Sequence, residues 1–169
     1  MSITRIGYGQ VEPNHLSARR TGQIFAQLPL ADGINQVENG QFLKYDYANG
    51  KAGLSGGSEW FLVLHEVKNY EGFGAKNFVL SRDAFDYPTP RLLKTNVGDI
   101  FTTNTLESAA TSKDGSTTTS SDYEVGNTLG INSNGFLDKT GSKTEITFEV
   151  VEVYTMPDGQ AGIKVMRVK

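Results

Sequence analysis

The sequence predicts an all-β fold, a small antiparallel barrel or sandwich, and three observations carry that reading. Six turn pairs, Asp32-Gly33, Asn39-Gly40, Asn49-Gly50, Asp114-Gly115, Asn134-Gly135 and Asp158-Gly159, punctuate the chain; each supplies residues that tolerate the positive φ of a tight turn. Between them lie short runs of strand character at 42–47, 60–67, 77–81, 92–103, 145–154 and 163–168. No stretch carries the apolar spacing of an amphipathic helix.

Taken in order, residues 1–29 contain Gly7, Gly9, Pro13, Arg19, Arg20 and Pro29 with only scattered apolar residues. They are predicted to form an extended N-terminal arm that orders on a partner, leaving a β domain over 30–169. The run 60–67 places Trp60, Leu62 and Leu64 on one face and Phe61, Val63, His65 and Val67 on the other. Apolar residues on both faces predict a central strand, whose burial contributes roughly 1.5 to 3 kcal/mol per large side chain before entropy is counted. Residues 107–122 are a Ser/Thr-rich tract that buries too little apolar surface to offset the cost of ordering, and they read as a long exposed loop. Towards the C-terminus, Ile146, Phe148 and Val150 alternate with Glu145, Thr147 and Glu149, after which Val151 and Val153 change parity. A bulge or a second buried face accounts for the change of phase. Met156-Pro157-Asp158-Gly159 reads as the turn of a hairpin whose return strand spans 162–168.

Composition excludes several function classes. The chain has 169 residues, room for one domain, and no cysteine, which removes disulfides, thiolate metal sites and cysteine nucleophiles together. With 19 acidic against 16 basic residues and a pI near 5.4, a polyanion is not expected as main partner, because phosphate binding needs a basic face. No apolar run reaches the ~18 residues of a membrane helix, and Met1-Ser2-Ile3-Thr4-Arg5-Ile6-Gly7-Tyr8-Gly9 lacks the apolar core of a secretory signal. Membrane partners are therefore not expected.

The chemical motifs are weak. Gly53-Leu54-Ser55-Gly56-Gly57 fits G-x-S-x-G, but a nucleophile elbow needs a strand before the serine, a helix after it and a histidine further along, and no histidine follows His65. His65-Glu66 lacks the second histidine of H-E-x-x-H and reads as a satisfied core or edge histidine. Asp83 and Asp86, or Glu145 and Glu149 on one strand face, are read as solvated acids and not as a hydrolytic pair. The glycine-rich segments match neither G-x-G-x-x-G nor the P-loop, so no nucleotide, metal or other cofactor is expected. Arg19 and Arg20 near Phe25, with Tyr8 and His15 upstream, are of the residue types that anchor protein interfaces. These five are the predicted contact residues, and direct nucleic-acid binding is not expected.

Two segments, Glu38-Asn39-Gly40-Gln41-Phe42-Leu43-Lys44-Tyr45-Asp46 and Arg91-Leu92-Leu93-Lys94-Thr95-Asn96-Val97-Gly98-Asp99-Ile100-Phe101-Thr102-Thr103-Asn104, together with Glu66-Val67-Lys68 between them, resemble small tailed-bacteriophage proteins encoded beside the major capsid protein. The resemblance spans roughly residues 37–105 and implies a non-enzymatic virion structural protein. Its implied role is that of a capsid decoration or auxiliary capsid protein, a β-rich domain, often trimeric, that binds the outside of the shell after assembly in the host cytoplasm. It transfers no catalytic residues. On this reading the arm contacts the major capsid protein. The alternative is a carbohydrate- or receptor-binding β module of a phage tail or fibre, stacking sugars on Trp60, Tyr70, Phe73 or Tyr87; the burial of Trp60 discriminates between the two.

Overall fold

The computed structural model describes residues 5, 8–25, 28–65, 79–106, 123–157 and 159–169. The fold is all-β, as the turn pairs predict. In chain order the elements are β1 (Val11–His15), a single helical turn α1 (Ser17–Thr21), β2 (Ile24–Phe25), β3 (Gln36–Glu38), β4 (Phe42–Asp46), β5 (Lys51–Gly53), β6 (Phe61–Val63), β7 (Val79–Ser81), β8 (Leu92–Leu93), β9 (Ile100–Thr103), β10 (Thr128–Ile131), β11 (Leu137–Asp138), β12 (Phe148–Thr155) and β13 (Ala161–Arg167). They form a six-stranded sheet in the order β1-β9-β13-β12-β10-β11, a five-stranded sheet in the order β2-β8-β6-β4-β5, and the two-stranded ribbon β3-β7.

Side-chain alternation explains how these layers stack. In β4, Phe42 enters one core and Leu43 and Tyr45 the other; in β6, Leu62 opposes Phe61 and Val63; in β8, Leu93 opposes Leu92. The five-stranded sheet is thus covered on both faces. Its first face packs on the six-stranded sheet through Phe101, Leu129, Phe148, Val150, Ile163 and Val165, and its second on the ribbon through Val37 and Leu80. β6 is its middle strand, so the prediction of a central strand holds, although the strand itself is short. An antiparallel sheet more often leaves one face in water. Here the small ribbon supplies the second cover.

The C-terminal hairpin follows the predicted plan. β12 and β13 pair in continuous antiparallel register except for a shift between Val150 and Glu152, which places the extra residue of a bulge at Val151. That single insertion restores inward orientation to Val153 opposite Ile163. At the turn Gly159 takes φ +87°, and its N–H donates to the Met156 carbonyl at 2.8 Å.

Two expectations are corrected. The run 92–103 is two strands and not one, since β8 belongs to the five-stranded sheet and β9 to the six-stranded sheet. The break falls at Val97-Gly98, with Gly98 at φ +91° and the Asp99 N–H donating to the Asn96 carbonyl at 2.9 Å. The second correction concerns the N-terminal segment. Within its described residues it is not a detached arm: β1 pairs with β9, β2 pairs with β8, and Leu16 and Ala18 are buried in the main core. Alternation alone could not reveal this, because only a few apolar positions are used and polar bonds hold the rest. The Ser/Thr tract at 107–122 lies outside the described residues, as do the first four residues.

Those polar bonds are buried. Arg5 and Glu38 form an ion pair at 2.9 Å with side chains 1% and 8% exposed, and Glu38 also accepts the Gly9 N–H at 2.6 Å. A Cβ at Gly9 would stand 2.0 Å from Thr105 Oγ1 and 2.4 Å from the Asn39 carbonyl oxygen; only glycine permits this approach. Next along, the Gln10 N–H donates to Asn104 Oδ1 at 2.9 Å, and Thr103 Oγ1 donates to the Gln10 carbonyl at 2.7 Å. Asp99, 2% exposed, accepts from the Ser17 N–H at 3.0 Å and the Ser17 hydroxyl at 2.9 Å. The segment is laced to the body at each step.

Candidate functional site

The five predicted contact residues lie along one ribbon that runs from the edge of one sheet to the edge of another. Tyr8 is half-buried ahead of β1, and His15 is exposed at the end of β1, opposite Ile100. Arg20 is exposed on α1, which also holds Arg19; Phe25 sits in β2, its backbone paired with Leu92. The side chains of Arg19 and Phe25 are not among those described. The ribbon presents His15 and Arg20 outward while Leu16 and Ala18, between them, point into the core.

The residues with catalytic potential are dispersed. Ser55 is exposed in the loop between β5 and β6, a strand-to-strand connection and not the strand-to-helix turn of a nucleophile elbow. Asp83 and Asp86 are exposed after β7. Glu145 precedes β12 and pairs with Lys44 at 2.6 Å, whereas Glu149 lies within β12, half-buried, opposite Met166; the two do not share a strand. Among the described residues no group of three or more His, Cys, Asp or Glu side chains gathers as a metal site, and no helix is long and apolar enough to cross a membrane.

His65 is structural. Its Nε2 accepts the Arg91 N–H at 3.1 Å, so its neutral form carries the proton on Nδ1. Asn39 brackets its backbone, accepting the His65 N–H at 2.7 Å and donating to its carbonyl at 3.2 Å, and so stands in for a missing strand partner. Burial, reinforced by the Arg91 charge, lowers the imidazole pKa from 6.5 to about 4. Because the folded value lies below the unfolded one, stability is fully present above pH 6.5 and is lost as pH falls from 6.5 towards 4. We expect this one group to remove on the order of 3 kcal/mol across that window. Urea midpoints measured between pH 7.5 and pH 4 check it: His65→Gln, whose carbonyl oxygen can still accept from Arg91, flattens that part of the profile.

The aromatic candidates divide. Trp60 is 9% exposed within the main core, and the Lys44 ammonium sits 4.8 Å from its ring centroid; this tryptophan is a packing residue. Tyr70 and Phe73 lie outside the described residues, and Tyr87 is 79% exposed. Sequence reasoning passed over two further exposed aromatics, Tyr47 at 68% and Phe85 at 56%. Tyr47 has a readable signal, since Tyr45 and Tyr47 share a strand face and the turn at Asn49-Gly50 leaves the second beyond the core.

A polar groove of about 330 Å³ lies along the β5 edge, lined by Ala31, Asp32, Asp46, Asn49, Lys51, Gly53 and Ser55. It exists because residues 28–31 run beside β5, with the Ala31 N–H donating to the Ala52 carbonyl at 2.8 Å and the Ala52 N–H to the Pro29 carbonyl at 2.8 Å. No protein-family model, no curated protein and no solved structure matches the chain.

Proposed function

We propose that the protein is a non-enzymatic virion structural protein that binds the major capsid protein on a phage head and decorates or stabilises the shell. One observation carries the reading beyond the sequence resemblance: His15 and Arg20 are exposed on a ribbon whose intervening residues, Leu16 and Ala18, are buried at 5% and 0% exposure. A contact surface anchored in this way loses little conformational entropy on docking, and arginine is among the residues that dominate interface energies. Of the groups with catalytic potential, His65 serves as a hydrogen-bond acceptor and Glu145 as the ion partner of Lys44.

On this reading the copies lie on the outer surface of the shell as homo-oligomers, with trimers the favoured unit. β1 and β11 end the six-stranded sheet, and terminal strands of this kind serve contacts between copies. Many weak contacts repeated over a symmetric lattice give lasting attachment. The sugar-stacking alternative loses its best platform with the burial of Trp60.

Cosedimentation of the purified chain with phage heads that lack it tests the proposal, scored as copies bound per capsid. Saturable binding in fixed ratio to the major capsid protein is expected, and the pair His15→Ala and Arg20→Ala weakens it at least tenfold, the loss of about 1.4 kcal/mol. Absence of binding by the folded chain contradicts the proposal.

A further inference from the structure

The groove beside β5 has a composition that selects its ligand, and it lies apart from the β1–α1 ribbon. Asp46 is held as an oriented carboxylate: it accepts the Asn49 N–H at 3.1 Å and the Asn49 side-chain amide at 2.6 Å, and the side-chain bond from Asn49 leads the causes that lower its pKa. Asp32 is flanked by Lys51 and Arg82, each 3.5 Å away. Two carboxylates against two cations leave no net local charge, which disfavours a phosphate or a polycation as occupant. What remains is a set of acceptors and donors, the oriented Asp46 carboxylate with Asp32, Lys51 and Ser55, spaced around a half-open polar cleft.

Shape agrees with that chemistry. At about 330 Å³ the groove is at the small end of the ~300–1,000 Å³ that ligand sites occupy. Gly53 and Ala31 line it without long side chains and pack closely, since a Cβ at Gly53 would come within 2.9 Å of the Ala31 Cβ.

We propose that this groove binds a neutral saccharide, one or two sugar rings, whose hydroxyls each donate to Asp32 or Asp46 and accept from Lys51 or Ser55. The site is distinct from the buried Trp60 and goes beyond capsid attachment. It gives a head-bound protein a means of touching glycans from the outer surface.

Amide chemical shifts of the full isotope-labelled chain test the assignment, with maltotriose, chitotriose, mannotriose and galactobiose as probes. At least one probe is expected to move the amides of Ala31, Asn49, Lys51 and Ser55 saturably, and Asp46→Ala or Lys51→Met to weaken that response about tenfold, as the loss of a charge-assisted hydrogen bond does. Unchanged dispersion elsewhere in the spectrum confirms that each variant is folded. No movement of these amides with any probe overturns the proposal, as does movement that survives both substitutions. Inorganic phosphate moving the same amides as strongly overturns it too, and marks an anion site.

Discussion

Replacing Arg5 by Met is expected to destabilise the protein by about 3 to 5 kcal/mol, the cost of leaving a buried carboxylate without its ion partner. Glu38 is only 6% exposed, so water cannot replace the guanidinium that stands 2.9 Å from it. The second substitution Glu38→Gln restores part of the loss. It removes the stranded charge while a side-chain oxygen still accepts the Gly9 N–H. Guanidinium denaturation of the two variants beside the parent chain checks the ordering: the single variant falls furthest and the double variant lies between. Equal stability of Arg5→Met and the parent would mean that the N-terminal segment is not fastened by this pair. Since domains of this kind are stable by only about 5 to 15 kcal/mol, a loss of this size leaves a substantial unfolded fraction at mild denaturant.

An effect of similar size is expected at the aromatic centre of the main core. Phe42, Phe101 and Phe148 are each fully buried at 0% exposure, and their ring centroids stand 5.5 Å apart for Phe42 and Phe148, 5.6 Å for Phe101 and Phe148, and 6.4 Å for Phe42 and Phe101. Each comes from a different strand, and the trio joins the two large sheets. Phe148→Ala removes two ring contacts and opens a cavity that the rigid β12–β13 hairpin cannot close, for a loss of about 3 to 5 kcal/mol. Phe148→Leu keeps most of the volume and is expected to cost less than half as much. Paired denaturation curves distinguish the two, and a Phe148→Ala loss no larger than that of Phe148→Leu would show that the core relaxes around the gap.

The features that were legible in the sequence are those written in local chemistry. Asn49-Gly50 and Asn134-Gly135 mark real turns, with both glycines at positive φ, and Asp158-Gly159 marks the turn of the long C-terminal hairpin. The change of parity at Val151 is visible as a bulge because a period of two tolerates no unmarked insertion. Double-sided burial of β6 is equally direct, since alternating apolar residues on both faces have no other economical placement. The N-terminal strands were not legible. β1 reads Val-Glu-Pro-Asn-His, a pattern with almost no apolar signal, and Gln10 just before it is held by bonds to Thr103 and Asn104 more than ninety residues away. Long-range polar pairing of this sort leaves no periodic trace. The division of 92–103 between two sheets was hidden for a similar reason: Asn96-Val97-Gly98-Asp99 announces a turn, but not that the chain crosses there from one layer to another. At the candidate sites, His15 and Arg20 were chosen by residue type and are exposed, whereas the groove at β5 depends on residues 31, 46, 51 and 55, which come together only in three dimensions.

The segment that carries the proposed contact residues is preformed and belongs to the folded body before any partner arrives. Native-state hydrogen exchange of the free chain measures this most directly, at the amides of Gln10 and Ser17. Both donate into the body, Gln10 to Asn104 at 2.9 Å and Ser17 to the buried carboxylate of Asp99 at 3.0 Å. Protection of these two amides comparable to that of Val150 and Val165 in the C-terminal hairpin is the predicted result, for they then open only with the whole domain. Exchange at the rate of an unstructured peptide, while the hairpin amides stay protected, would contradict the account and return residues 1–29 to the status of an arm that orders on binding.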